Sequence, residues 1–454
     1  MLFSSPVFLF LFLPIVLSLY FVIPHKLRNG YLLIASILFY SWGERKYAVI
    51  MLASIVLNYL FALLIFYSHN KSKSCARIVL GLGITINLLL LVGFKYLDFL
   101  FSNIGLPPKH IRLPLGISFF TFHAISYIVD VYFKKAKPMK NIVDTALYIS
   151  FFPQLNAGPI VRYHDIAAQI VKRAITANDF VYGIQRFIQG LGKKVLIANV
   201  LALTADRLFD KPVNELTFGT AWLAIICYSL QLYFDFSGYS DMAIGLARMF
   251  GFTFPENFNY PYISQSITEF WRRWHISLSQ WFRDYLYIPL GGSRKGLART
   301  CLNLLIVFAL CGLWHGANWT FILWGIYYGL ILVIEKLGLL RILEALPRFI
   351  RHIYALVIII IGWVLFRSYD LAHALSYIAK MVNIKSASTI LLDIEPYVNN
   401  HMLLVLIAAV LFSMPAVKQK KFSIFSYALL FIFFVASIMS IAANTYNPFI
   451  YFRF

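Results

Sequence analysis

The sequence predicts an all-α, polytopic membrane protein, and three observations carry that expectation. Of its 454 residues, 60% are hydrophobic and only 13% are charged, where a soluble chain carries about 25% charged residues. Apolar stretches of about 17 to 25 residues, the length that crosses a bilayer, recur from one end to the other. The net charge of +21, from 40 Lys+Arg against 19 Asp+Glu, is gathered in short loops between those stretches, as the positive-inside bias requires. That distribution accounts for the basic balance without nucleic acid and makes the lipid bilayer the first partner.

The elements follow in order. Met1 to Pro24 is apolar but lacks a basic n-region and a small-residue cleavage site, so it reads as a retained first span. His25-Lys-Leu-Arg28 then marks a cytoplasmic loop, which places the N-terminus extracytoplasmic. Tyr31 to Trp42 is short for a span; Tyr47 to Tyr67, Ile78 to Leu97 and Leu115 to Phe133 cross in alternation, with Ser102 to Arg112 an outer loop and Lys71 to Arg77 and Lys134 to Lys140, the strongest basic signal, inside. From Asn141 to Lys211 the apolar pieces are short, broken by Phe152-Pro153, Gly158-Pro159, Arg162 and Lys193-Lys194. Such pieces suit re-entrant or interfacial elements. Further spans are expected at Ala221 to Phe236, Ile353 to Phe366, Met402 to Phe412 and Ile424 to Ile441. Roughly 10–12 crossings result. With no internal repeat or linker, residues 1–454 read as one integral-membrane domain: N-terminal spans to 140, a core from 141 to 330, and C-terminal spans from 331.

Polar residues inside such a chain are where function concentrates. Asp241 and Arg248, seven apart on one helix face, are candidates for an ion pair. Cys75, Cys227, Cys301 and Cys311 show no CxxC pairing, and no HxxxH, HExxH or carboxylate cluster is present, so no metal site is expected. Between Ile263 and Leu290, Ile267, Phe270, Trp271, Trp274, Leu278, Trp281 and Tyr285 recur at helical spacing, with Arg272 and Arg283 opposite. This predicts one interfacial helix over 263–290, either a surface anchor or the wall of a polar cavity, with His275 at the edge of its stripe. A second histidine, His315, ends the apolar run from Cys301 within Cys311-Gly-Leu-Trp-His-Gly-Ala-Asn-Trp319. An imidazole in that setting is costly. Each histidine alone reads more readily as a satisfied buried residue than as a catalyst.

At these residues the chain resembles the membrane-bound O-acyltransferase (MBOAT) superfamily, within it the bacterial alginate O-acetylation branch. The segments that carry the resemblance are Leu113 to Phe122, Phe152 to Arg162, Phe236 to Met242, Asn257 to Pro261, Phe270 to Gly292, Gly312 to Gly325, Gly362 to Arg367 and Asn447 to Phe454. Asn156 departs from the family's usual apolar residue. The family's invariant histidine falls on His315 and its second polar position on His275. The resemblance implies an MBOAT fold with many helices around a central tunnel in the bacterial inner membrane. It also implies O-acetyl transfer from cytoplasmic acetyl-CoA to an extracytoplasmic polysaccharide or a partner acetyltransferase.

The residues fit that chemistry. A hydroxyl is a poor nucleophile until its proton is removed, and a neutral imidazole does this near pH 7. Burial against Trp314 and Trp319 is expected to keep His315 neutral. His275 is expected to orient the donor or to stabilise the oxyanion by donating a hydrogen bond. Arg272, Arg273, Arg283, Arg294 and Lys295 have the charge to meet coenzyme A phosphates, although the loop-charge bias explains them equally well. A transporter, or a scaffold for export without catalysis, remains the competing class.

Overall fold

The computed structural model describes residues 1–384, 390–415, 424–443 and 446–448; of the terminal Asn447–Phe454 motif, residues 449–454 lie outside these. Every regular element among the described residues is helical. Six helices are long and apolar enough to cross a membrane: Ala48–His69, Lys73–Asn103, Ala177–Phe209, Leu297–His315, Arg348–Arg367 and Ile424–Ala443. A seventh is the pair Ile390–Tyr397 and Asn400–Phe412 if its 101° bend is counted within one span. Phe8–Val22, Ile117–Tyr132 and Leu371–Val382 are apolar but shorter. Against the expected 10–12 crossings, six helices, or seven with the bent pair, among the described residues have the length and composition of a span, and three other apolar stretches form shorter helices.

The chain forms two compact units, one from Met1–Ile188 and Tyr239–Glu256, the other from Gln189–Gly238 and Asn257–Phe454. In the first, Ala48–Lys71, Lys73–Leu91 and Ile117–Tyr132 pack together. Asn58 and Asn87 exchange side-chain hydrogen bonds there at 2.7 and 3.1 Å, which satisfies two amides that apolar surroundings would otherwise penalise. The ion pair expected between Asp241 and Arg248 does not form. Asp241 pairs with Arg186 at 2.7 Å and Arg248 with Asp179 at 3.5 Å. Seven residues are about 10 Å of helix rise, too far for a direct pair, so each side chain turns to Ala177–Gly192.

In the second unit, Lys193-Lys194 does not break the helix as expected. Lys194 is buried, and its ammonium pairs with the equally buried Asp235 carboxylate at 2.7 Å. A matched buried pair costs far less than a lone charge, so the helix runs through a π-turn at Lys193–Ala198 as part of the span Ala177–Phe209. The core of this unit is the hairpin of Leu297–His315 and Trp319–Ile334, backed by Arg348–Arg367. Its two arms cross at glycines. A methyl group on Gly312 would fall on the Phe321 carbonyl, and one on Gly325 on the Phe308 carbonyl. Backbones approach this closely only where side chains are absent, a packing mode common between membrane helices.

Candidate active site

His315 is the last residue of its helix, and the chain leaves it through Gly316 in extended conformation. Asn318 restarts the helix, its side chain accepting the Thr320 N–H at 3.1 Å, as an N-cap does. His315 is 9% exposed. Trp314, Trp324 and Phe366 pack around it with ring centroids at 4.9, 5.1 and 5.2 Å. Trp319, expected to help bury it, is 56% exposed. The turn at Gly316 begins the next helix at Trp319, and Trp324, five residues on, packs on the imidazole.

The helix expected over 263–290 is broken. A 3-10 turn at Pro261–Ile263 precedes the helices Ile267–Arg273 and Ile276–Phe282, and a π-turn follows at Arg283–Tyr287. The break falls on His275, whose φ is +44°. The left-handed region costs a non-glycine residue roughly 1–2 kcal/mol, so the surroundings must hold it there. They do so through Asn257, which is fully buried. Its carbonyl accepts the Ile276 N–H at 2.9 Å, and its side-chain Oδ1 accepts the Ser277 N–H at 3.2 Å and the Ser277 hydroxyl at 2.9 Å. The same Oδ1 lies 3.1 Å from His275 Nδ1. The Asn259 N–H also bonds the Arg273 carbonyl at 2.9 Å. The aromatic stripe is not a lipid anchor. Phe270, Trp271 and Trp274 are buried against Tyr328, Trp324 and Trp363 of the same unit, while Arg272 is exposed.

The start of this segment is tied to the hairpin by Glu335, a carboxylate only 1% exposed. It accepts the Ile267 N–H at 2.7 Å, the Thr268 N–H at 2.8 Å, the Thr268 hydroxyl at 2.6 Å and the Tyr354 hydroxyl at 3.1 Å. Ser266 accepts the Glu269 N–H at 3.0 Å. The first three N–H groups of the short helix, normally orphans, are therefore all satisfied.

Both predicted histidines converge on one indole. Trp314 lies 6.3 Å from His275 and 4.9 Å from His315, centroid to centroid. Phe236 closes over His275 edge-on at 4.6 Å. His275 is 1% exposed and outside the spanning helices. Burial pushes its pKa down to about 3, which keeps the imidazole neutral at physiological pH. The basic residues considered for phosphate contact stay at the periphery: Arg272, Arg283, Arg294 and Lys295 are exposed, and Arg273 is held by Glu269 at 2.9 Å. Among the described residues, no three His, Cys, Asp or Glu side chains gather as a metal site. Sequence reading missed Glu335; Trp324, Phe366 and Asn257 stood in matching segments with no role attached.

Residues 115–371, which include both histidines, match the family described as MBOAT, membrane-bound O-acyltransferase family. The chain belongs to that family. It is 48% identical to "Probable alginate O-acetylase AlgI" of Azotobacter vinelandii, over 84% of this chain and 78% of the relative. It is 41% identical to the protein of the same name from Pseudomonas putida over the whole of both chains. A peptidoglycan O-acetyltransferase of Helicobacter pylori is 37% identical, over 86% of this chain and 81% of its own length. The protein is therefore a multi-pass membrane acyltransferase of the O-acetyltransferase kind. The buried pair of imidazoles is its candidate catalytic centre.

Proposed function

We propose that this chain takes an acetyl group from cytoplasmic acetyl-CoA and delivers it across the bacterial inner membrane. The acceptor is a hydroxyl of an exported polysaccharide or cell-envelope glycan, or a partner acetyltransferase that completes the transfer. The observation that carries this reading is the convergence of His275 and His315 on Trp314 inside an aromatic wall. The names of the relatives, which act on alginate and peptidoglycan, support an acetylated glycan as the end product. The N-terminus is assigned to the extracytoplasmic side by the basic loop at His25 to Arg28.

In this reading His315 removes the proton of the attacking hydroxyl as its oxygen bonds to the thioester carbonyl carbon. The tetrahedral intermediate collapses by breaking the carbon–sulfur bond, and the departing thiolate receives the proton back from His315. A positioned general base contributes about 10² to 10⁴ in rate.

The test is transfer of label from radiolabelled acetyl-CoA by purified protein in detergent or proteoliposomes. The His315→Ala variant is expected to lose at least about 100-fold in kcat while eluting as a folded monodisperse species. Undiminished labelling by that variant would overturn the assignment. Passage of a glycan without thioester cleavage would favour the transporter.

A further inference from the structure

The amide of Asn257 determines which nitrogen of His275 carries its proton. A backbone N–H can only donate, so the Ser277 N–H at 3.2 Å identifies the facing atom of Asn257 as the amide oxygen. That oxygen can only accept. The ring nitrogen 3.1 Å from it, Nδ1, is therefore the protonated one. In a neutral imidazole the other nitrogen, Nε2, then bears the lone pair.

We infer that Asn257 is the positioning residue of the site: it locks His275 in the Nδ1–H tautomer, so that His275 meets substrate through Nε2 as a hydrogen-bond acceptor. This rests on the reading of His275 as a site residue and sets aside one of the two roles expected for it, donation to the oxyanion, in favour of orienting the donor. An Nε2 lone pair receives an O–H or N–H of a bound substrate and cannot donate to an oxyanion. The φ of +44° belongs to the same device, because it turns the ring back toward Asn257 while Ile276 and Ser277 bond the same residue. A buried asparagine with both its carbonyl and its side chain committed to one three-residue turn is over-determined for a loop. It does for a neutral histidine what an orienting carboxylate does in a hydrolytic triad, without adding charge.

Aromatic side chains of two other helices face this ring. On Phe218–Met249, Phe236 faces it and the neighbouring Asp235 is paired with Lys194. On Leu297–His315, Trp314 faces it, and His315 packs against that indole. On its own segment, Arg273 is paired with Glu269 and Arg272 is exposed.

Two measurements test the lock. The first is the long-range ¹⁵N–¹H pattern of ¹⁵N-histidine-labelled protein in detergent, with His275 assigned by difference against His275→Asn. The Nδ1–H pattern is expected near neutral pH; the Nε2–H pattern overturns the inference. This reading stands whether or not acetyl-CoA proves to be the donor, so it separates failure of the inference from failure of the proposed reaction. The second is the pH profile of kcat for Asn257→Asp, which keeps the acceptor oxygen and adds a negative charge. A carboxylate against Nδ1–H favours imidazolium and raises the pKa of His275. Protonation of Nε2 then removes the acceptor as pH falls, and the acid limb is expected to move up by at least one pH unit and to steepen. Asn257→Ala, which releases the ring, is expected to lower kcat at least tenfold with KM for acetyl-CoA within twofold. A merely structural asparagine predicts that the Asn257→Asp profile superimposes on the parent's, and that outcome, too, overturns the inference.

Discussion

The two histidines of this site are held by opposite means. His315 ends a regular helix, and rings and a glycine crossing fix its place: Trp314, Trp324 and Phe366 around the imidazole, Gly312 and Gly325 where the two arms meet. His275 sits in a backbone conformation that resists it, and the hydrogen bonds of Asn257 fix its place. Packing is forgiving of direction but intolerant of added volume. Hydrogen bonding is tolerant of small volume changes but fails when one acceptor is lost. In the proposed reaction the general base needs only a well-placed ring. A residue whose tautomer matters needs a partner at one named nitrogen.

The largest effect follows from adding volume on the packed side. In Gly325→Val the new side chain must enter the space of the Phe308 carbonyl, and a carbonyl in a continuous helix cannot turn aside. Overpacking costs typically about 1–3 kcal/mol where side chains yield, and more where only backbone can move. The hairpin is expected to open and the variant to be lost from the monodisperse peak in size-exclusion chromatography. Recovery of folded, active Gly325→Val would show that His315 does not depend on the glycine crossing.

A smaller effect is expected at the residue that joins the two regions. Glu335 follows the second arm of the hairpin, yet its carboxylate holds the first turn of the helix that leads to His275. Glu335→Ala leaves the Ile267 and Thr268 N–H groups buried without an acceptor, at about 1–3 kcal/mol. The expected result is a folded protein with a lowered melting temperature and reduced turnover, measured by thermal shift and label transfer. Glu335→Gln restores one acceptor oxygen and is expected to fall between parent and Ala. Equal melting temperatures for all three would remove Glu335 as the tie.

Much of this was legible in the sequence, and the part that was not has a common cause. The spans expected at Tyr47 to Tyr67, Ile353 to Phe366 and Ile424 to Ile441 appear as Ala48–His69, Arg348–Arg367 and Ile424–Ala443, because long apolar runs fix a helix locally. The break at His275 was hidden because the stripe from Ile267 to Tyr285 keeps its helical spacing straight through it. What bends the chain there is an amide 18 residues upstream. Lys194 read as an interruption for the same reason: its neutralising partner Asp235 lies on another helix. Periodicity reports on neighbours along the chain, and each missed feature is set by a partner distant along it.

The smallest prediction crosses the two regions directly. At His275 the backbone is left-handed, so glycine relieves strain that alanine keeps, by roughly 1–2 kcal/mol. Asparagine, which enters that region more readily than alanine, is expected between them. At His315 the residue is helical, so alanine is the better replacement, by up to about 1 kcal/mol over glycine. Four variants in one detergent, His275→Gly, His275→Ala, His315→Gly and His315→Ala, are therefore expected to show opposite orders of melting temperature. All four remove an imidazole from the site, so activity is expected to fall in each and cannot produce the inversion. The same order at both positions would mean that the left-handed turn at His275 is not retained once the ring is gone. The strain would then be imposed by the His275 ring against Asn257, and not by the hydrogen bonds from Ile276 and Ser277.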